Sequence, residues 1–200
     1  WLELLIFLPC PILFNHLQTP AGDTSRGLFV VKDMKRFVYL FLLLIPLPAY
    51  SDQVYLSQAQ FLALAFPDAE PNNHVIWFTG ERKEVGTKLL DHPPSGLRTR
   101  YWQAGQRTAW IMDEIGKEHP ITIGVVIEGD RIKMVEILVY RESRGGEVRH
   151  DFFKRQFQDA HLDQYELSRN IDSISGATLS VNAVTAVARW ALYLHQQLAL

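Results

Sequence analysis

The sequence is nearly free of cysteine, since Cys10 is the only one among its 200 residues. Beyond that position no thiol exists for a disulfide, a cysteine zinc site, an iron–sulfur cluster or a c-type haem attachment. The histidines that follow show no metal-ligand spacing, so we expect no metal site. Any redox role of this part of the chain therefore needs an organic cofactor.

An excess of either charge is also lacking. The 20 Lys and Arg residues nearly balance the 22 Asp and Glu residues, and they are scattered. We therefore expect no nucleic-acid partner. A Gly-x-Gly-x-x-Gly fingerprint is absent, so no Rossmann-type nicotinamide site is indicated. No Ser-His-Asp arrangement suggests a hydrolase.

The long apolar run near the N-terminus is too short for a clear membrane span. Met34-Lys-Arg36 is followed by an apolar stretch that ends at Ala49, with small residues at Ala49 and Ser51. This pattern predicts a signal peptide over residues 34–51, cleaved before Asp52. A retained anchor is the alternative, but a span needs roughly 18 to 20 residues. Residues 1–33 are expected to be an upstream extension outside the fold.

Helical and strand-like stretches follow without a repeat. Ser57 and Gln60 form a capping-box pattern, and Glu81 to Leu90 reads as a second helix. Between residues 97 and 140 the chain is rich in β-branched and aromatic residues, and Gly129-Asp130 predicts an antiparallel hairpin. We therefore expect an α+β fold, an antiparallel sheet covered by helices with the C-terminal helix across one face.

The C-terminal helix is preceded by Asp172-Ser-Ile-Ser-Gly-Ala-Thr-Leu-Ser180. Thr178 stands at the helix N-terminus, where free N–H groups and the helix dipole stabilise an anion by roughly 0.3 to 1 kcal/mol. Gly176 and Ala177 lack bulk, which would let an enzyme bring a nucleotide close to the Thr178 hydroxyl. The alternative is an ordinary loop in which Thr178 is the helix N-cap.

This segment resembles the flavinylation motif of the FMN-binding domain family, which includes the C subunit of sodium-translocating NADH:quinone reductase and the G subunit of the Rnf complex. The resemblance extends from about Trp110 to His195 and is close to small, single-domain secreted members. It implies that Thr178 carries FMN through a phosphodiester bond, installed by an ApbE-type flavin transferase. We accordingly assign residues 52–96 to an N-terminal region and residues 97–200 to the FMN-binding domain, with FMN at the N-terminus of the C-terminal helix.

The chemistry of the neighbouring residues, and for Glu142 the resemblance, suggests further roles. Ser175 and Ser180 would add hydroxyl donors near the phosphate. Asp172 would form an Asx-type turn or be recognised by the transferase, because a carboxylate beside a phosphate repels it. Glu142, in a loop that departs from the Pro-Gly element of larger members, would face the flavin ring; a solvated turn is the alternative.

The expected function is that of a periplasmic electron carrier, either free or membrane-associated, that exchanges electrons with a membrane redox partner. Flavin passes electrons singly or in pairs, which suits such a carrier. A small FMN-dependent reductase and a flavin-based sensor or assembly module are the alternatives. The reductase would need a shaped pocket with a proton donor, and the sequence alone reveals none.

Overall fold

The structure, a computed structural model, describes residues 52–198. Cys10, the expected extension over residues 1–33 and the expected signal peptide over residues 34–51 lie outside the described residues.

One antiparallel sheet of six strands forms the centre of the described chain. In chain order its strands are β1 (Gln53–Val54), β2 (Asn72–Trp77), β3 (Arg98–Ala104), β4 (Arg107–Ile115), β5 (Pro120–Glu128) and β6 (Arg131–Tyr140). Their spatial order is β1-β6-β5-β4-β3-β2, and every neighbouring pair is antiparallel. A separate small hairpin joins β7 (Leu162–Asp163) to β8 (Glu166–Leu167).

Four α-helices accompany the sheet and confirm the predicted α+β fold. They are α1 (Gln58–Ala65), α2 (Glu81–Leu90), α3 (Asp151–Lys154) and α4 (Thr178–Gln196), with 3₁₀ turns at Gly146–Arg149 and Arg155–Phe157. The capping box predicted at Ser57 and Gln60 is present at the start of α1. It satisfies backbone N–H groups that the first helical turn leaves free.

The predicted hairpin of β5 and β6 is confirmed. Glu128 pairs with Arg131 across a two-residue turn in which Gly129 has a φ of +64°. Glycine adopts this left-handed conformation without the steric cost of a Cβ atom. Strands β1 and β2, which come from residues 52–96, lie in the same sheet as the strands of residues 97–200.

Side chains alternate between two faces of the sheet and make two cores of unequal size. The larger core, under α4, includes Trp110 and Val125. The smaller core, on the opposite face, packs Phe61 of α1 against Trp102 and Leu138. Strand β5 passes so close to α1 that a Cβ atom on Gly124 would lie 2.6 Å from the Phe61 ring.

The C-terminal end of α4 is fixed by a buried hydrogen-bonded chain. The Trp110 indole donates to the Thr108 hydroxyl over 2.8 Å, and that hydroxyl donates to Nδ1 of His195 over 2.7 Å. The second ring nitrogen of His195 donates to the carbonyl of Gly129. Burial lowers the pKa of His195, so its neutral form is favoured. These contacts tie the last turn of α4 to β4 and to the β5–β6 turn.

Over residues 52–198, none of the helices combines the length and the apolar character that crossing a membrane would require.

Candidate flavin-attachment site

The segment of residues 172–177, which precedes α4, is held in place by hydrogen bonds and by packing against the larger core. The backbone N–H of Asp172 donates to the Gln156 side chain over 2.7 Å, and Ile174 packs its side chain against the larger core. The N–H of Ala177 donates to the carbonyl of Ile174 over 2.9 Å, which closes a turn around Gly176. The motif therefore enters α4 along a fixed path.

Thr178 is the first residue within α4, and Ala177 is the N-cap. Ala177 has no side-chain cap to offer, and the first intrahelical bond runs from the N–H of Val181 to the carbonyl of Ala177. The interpretation of Thr178 as an N-cap is therefore wrong. Thr178 is exposed, and its hydroxyl makes no hydrogen bond to any residue in the described part of the chain. It is available for chemistry beside unpaired helix N–H groups.

Gly176 and Ala177 are small for different reasons. Gly176 has a φ of +82°, while a Cβ atom there would meet nothing within 4 Å, so the backbone conformation explains the glycine. Ala177 is 2% exposed and packs beneath the start of the helix. Ala177 is small because it packs closely, whereas Gly176 is a glycine because of its backbone conformation, since the space around it is open.

The remaining motif residues are placed differently from one another. Ser175 is exposed, and Ser180 is buried with its hydroxyl 2.9 Å from the Tyr140 hydroxyl. Asp172 is exposed, and within residues 52–198 its carboxylate accepts no hydrogen bond. The Asx-type turn expected at Asp172 is therefore not formed, which leaves recognition by a transferase as its predicted role.

A buried latch links the loop after β6 to the start of α4. The Tyr140 hydroxyl donates to the carbonyl of Arg144 over 2.6 Å, so the Ser180 hydroxyl donates to the Tyr140 oxygen. Gly145, at a φ of +88°, lies so close that a Cβ atom on it would be 2.7 Å from the Ser180 hydroxyl. Tyr140, Gly145 and Ser180 thereby fix the first turn of α4 against the sheet.

Tyr140→Phe is expected to lower the free energy of unfolding by about 1 to 3 kcal/mol, because it leaves the buried Ser180 hydroxyl and the part-buried Arg144 carbonyl without this partner. Ser180→Ala is expected to cost only about 0.5 to 1.5 kcal/mol, because Tyr140 keeps its bond to the Arg144 carbonyl. Urea unfolding of both variants measures the difference. Equal stability of Tyr140→Phe and the unmodified protein would rule out the latch.

Glu142 is buried and holds the loop between β4 and β5. One carboxylate oxygen accepts the backbone N–H groups of Lys117, Glu118 and His119, the latter two over 2.6 and 2.9 Å. Burial alone would raise the pKa of Glu142, but these N–H donors outweigh it and lower the pKa below its ordinary value. A solvated turn is therefore the wrong interpretation of this residue, and its contact with flavin stays a prediction.

A cleft of about 900 Å³ opens beside the start of α4. Its walls include Leu179, which directly follows Thr178, and Ile115 at the end of β4. These two apolar side chains are 50% and 60% exposed. The cleft falls within the ~300 to 1,000 Å³ typical of small-molecule sites, which are mostly apolar with a few placed polar groups. It has the size for a ring system attached near Thr178.

Sequence reasoning missed two residues in this cleft, His92 and Glu114. Nε2 of His92 lies 2.8 Å from a carboxylate oxygen of Glu114, which is 8% exposed. The two residues are far apart in the chain, and neither stands in a recognisable motif. Their contact becomes evident only from the structure.

No group of three or more His, Cys, Asp or Glu residues in the described ranges is arranged to hold a metal ion. An organic cofactor is the group that the site's size and exposed hydroxyl suit.

Comparison with known proteins agrees with the geometry of this site. Residues 116–193 match the model of a family described as the FMN-binding domain. This range holds β5, β6, the Tyr140–Ser180 latch and nearly all of α4. No curated protein and no solved structure matches the chain. The cofactor is FMN, and the segment 116–193 belongs to the FMN-binding domain family.

Proposed function

We propose that Thr178 carries FMN covalently, through a phosphodiester bond between its side-chain oxygen and the FMN phosphate. The observation that carries this proposal is the free, exposed hydroxyl of Thr178 at the first position of α4, beside the 900 Å³ cleft. The Thr178 hydroxyl would lose its proton and displace a phosphate-bound leaving group from an activated flavin nucleotide, so that the product equals protein plus FMN less one water. An ApbE-type flavin transferase is the partner proposed to install it.

The residues around Thr178 fit the anion that this bond would create. A phosphodiester keeps one negative charge, and the uncapped N–H groups of the first turn of α4 are donors for it. Arg169 also lines the cleft, where its guanidinium donates to the carbonyl of Gln158 over 2.7 Å. Its positive charge favours a phosphate nearby. The carboxylate of Asp172 makes no bond within residues 52–198, which suits recognition by the transferase.

The proposed role is electron transfer outside the cytoplasm, with a membrane redox partner. Flavin supplies the ability to exchange electrons singly or in pairs. A covalent tether suits an exported protein, because a dissociable cofactor would be lost by diffusion. The chain's own contribution is to hold the cofactor at the mouth of an open cleft, where a partner protein can approach it.

A small FMN-dependent reductase is a second candidate, and one observation favours it. Such an enzyme needs a proton donor in a shaped pocket. His92 lies in the cleft with Glu114, so a candidate donor exists.

Reduction by NADH distinguishes the carrier from the reductase. We expect purified, flavinylated protein to remain oxidised when it is mixed anaerobically with NADH, because its sequence has no nicotinamide fingerprint. A chemical reductant or membranes with the redox partner should reduce it. Stopped-flow measurement of the flavin absorbance gives the rates. Rapid bleaching with NADH alone would favour the reductase and count against the carrier.

A further inference from the structure

His92 is fixed in the cleft by the way α2 ends. Asp91, the residue after the last turn of α2, has a φ of +61°, and this left-handed residue turns the chain out of the helix. Nδ1 of His92 then lies 2.9 Å from the carbonyl oxygen of Pro93. Nε2 lies 2.8 Å from the carboxylate of Glu114 on β4. Both ring nitrogens are thus held by oxygen atoms of neighbouring elements.

This arrangement favours a proton on both nitrogens of His92. A backbone carbonyl and a carboxylate only accept hydrogen bonds, so both bonds form only when each ring nitrogen donates. The doubly protonated imidazole is a cation. The hydrogen bond to Glu114, followed by that to the Pro93 carbonyl, raises the pKa of His92 above its ordinary value of 6.5.

The imidazole is the more accessible partner of the pair. Both residues line the cleft, but the Glu114 side chain is 8% exposed and that of His92 is 41% exposed. Other charged groups on the cleft wall are Asp91 in the same turn, and Glu166, Arg169 and Arg189 from the segments opposite. Glu166 and Arg189 pair with each other over 2.9 Å and largely cancel.

We propose that His92, positioned by Glu114, is the cationic group that faces the bound flavin ring and stabilises its reduced form. Two-electron reduction with uptake of one proton from solvent leaves the ring with one more negative charge, and a nearby positive charge favours that state. Both N–H groups of His92 already donate to Pro93 and Glu114. The stabilisation of the reduced flavin is therefore electrostatic and needs no new hydrogen bond. The inference rests on the proposed function, since it requires the flavin ring to occupy this cleft.

The test is the midpoint potential of the flavinylated full chain, measured by spectroelectrochemistry in the unmodified protein and in His92→Gln. At about pH 6 we expect His92→Gln to move the redox equilibrium about tenfold toward oxidised flavin, which is ~30 mV for a two-electron couple. The difference should shrink as the pH rises through the pKa of His92, because the imidazole then loses its positive charge. His74→Gln, an exposed histidine on β2 that does not line the cleft, is the matched control and should change nothing.

Glu114→Gln is the second variant. It removes the carboxylate that favours protonation, so the effect of His92 should disappear at a lower pH than in the unmodified protein. Equal potentials of His92→Gln and the unmodified protein at about pH 6 would overturn the proposal. So would a difference that stays unchanged as the pH is raised from about 6 into the alkaline range, because a purely structural role would behave in that way.

Flavin retention after denaturation is measured on the same samples. It shows whether FMN is covalently attached, independently of the role proposed for His92. If the unmodified protein holds no denaturation-resistant flavin, the attachment to Thr178 fails. Titration of oxidised and dithionite-reduced FMN into the unloaded full chain then decides the role of His92. His92→Gln should lower the preference for reduced FMN about tenfold, and an unchanged preference would overturn the proposal.

Discussion

Thr178→Ala is expected to abolish denaturation-resistant flavin completely when the protein is exported together with an active flavin transferase. The variant lacks the only atom proposed to bond to the FMN phosphate, while its helix should remain intact because alanine is a strong helix former. Intact-mass spectrometry should show the mass of one FMN less one water in the unmodified protein, and none of it in the variant.

Two matched variants define the specificity of this result. Thr178→Ser keeps a hydroxyl at the first position of α4 and is expected to retain flavin. Ser175→Ala removes an exposed hydroxyl three residues earlier and should also retain it. Persistence of bound flavin after denaturation of Thr178→Ala would show that attachment occurs elsewhere.

Glu142→Ala is expected to have the largest effect on stability, lowering the free energy of unfolding by about 3 kcal/mol. It removes the single acceptor of three backbone N–H groups in the β4–β5 loop. Glu142→Gln keeps an acceptor oxygen without the charge and should cost about 1 to 2 kcal/mol. Glu147→Ala, an exposed neighbour, is the control and should stay within about 0.5 kcal/mol of the unmodified protein.

The effect of Glu142 on stability also depends on pH in a defined direction. Its pKa is lower in the folded state than its ordinary value of 4.5, so the folded protein holds the proton less tightly than the unfolded chain does. The stabilisation is therefore present above that ordinary value and is lost as the pH falls through the folded pKa. Urea unfolding at pH 7 and in acid should show Glu142→Ala and the unmodified protein converging in acid. If the difference in the free energy of unfolding between the two proteins did not decrease in acid, the explanation based on the charge of Glu142 would be contradicted.

The sequence predicted most of the secondary structure because the signals there are local. The capping box at Ser57, the second helix and the turn at Gly129 each depend on a few adjacent residues. The position of Thr178 at the start of α4 was predictable in the same way. That Ala177 is the cap was not, because only the path of the preceding turn determines it.

The parts of the site that the sequence did not predict depend on contacts between residues that lie far apart in the chain. His92 meets Glu114 only because α2 ends beside β4, and no local pattern encodes that meeting. Glu142 accepts N–H groups from a loop more than twenty residues earlier in the chain. The sequence marked Glu142 as noteworthy, but its burial and its partners become evident only once β5 and β6 are paired.

The unequal cores on the two faces of the sheet imply that the two faces do not open together. α1 rests on the smaller core, whereas α4 rests on the larger one and is fixed at both ends by Ser180 and His195. Local opening costs least where few apolar side chains are buried. Backbone amides of α1 should thus exchange with deuterated solvent well before those in the middle of α4. Transient opening on the α1 side would leave the segment that carries Thr178 in its native conformation.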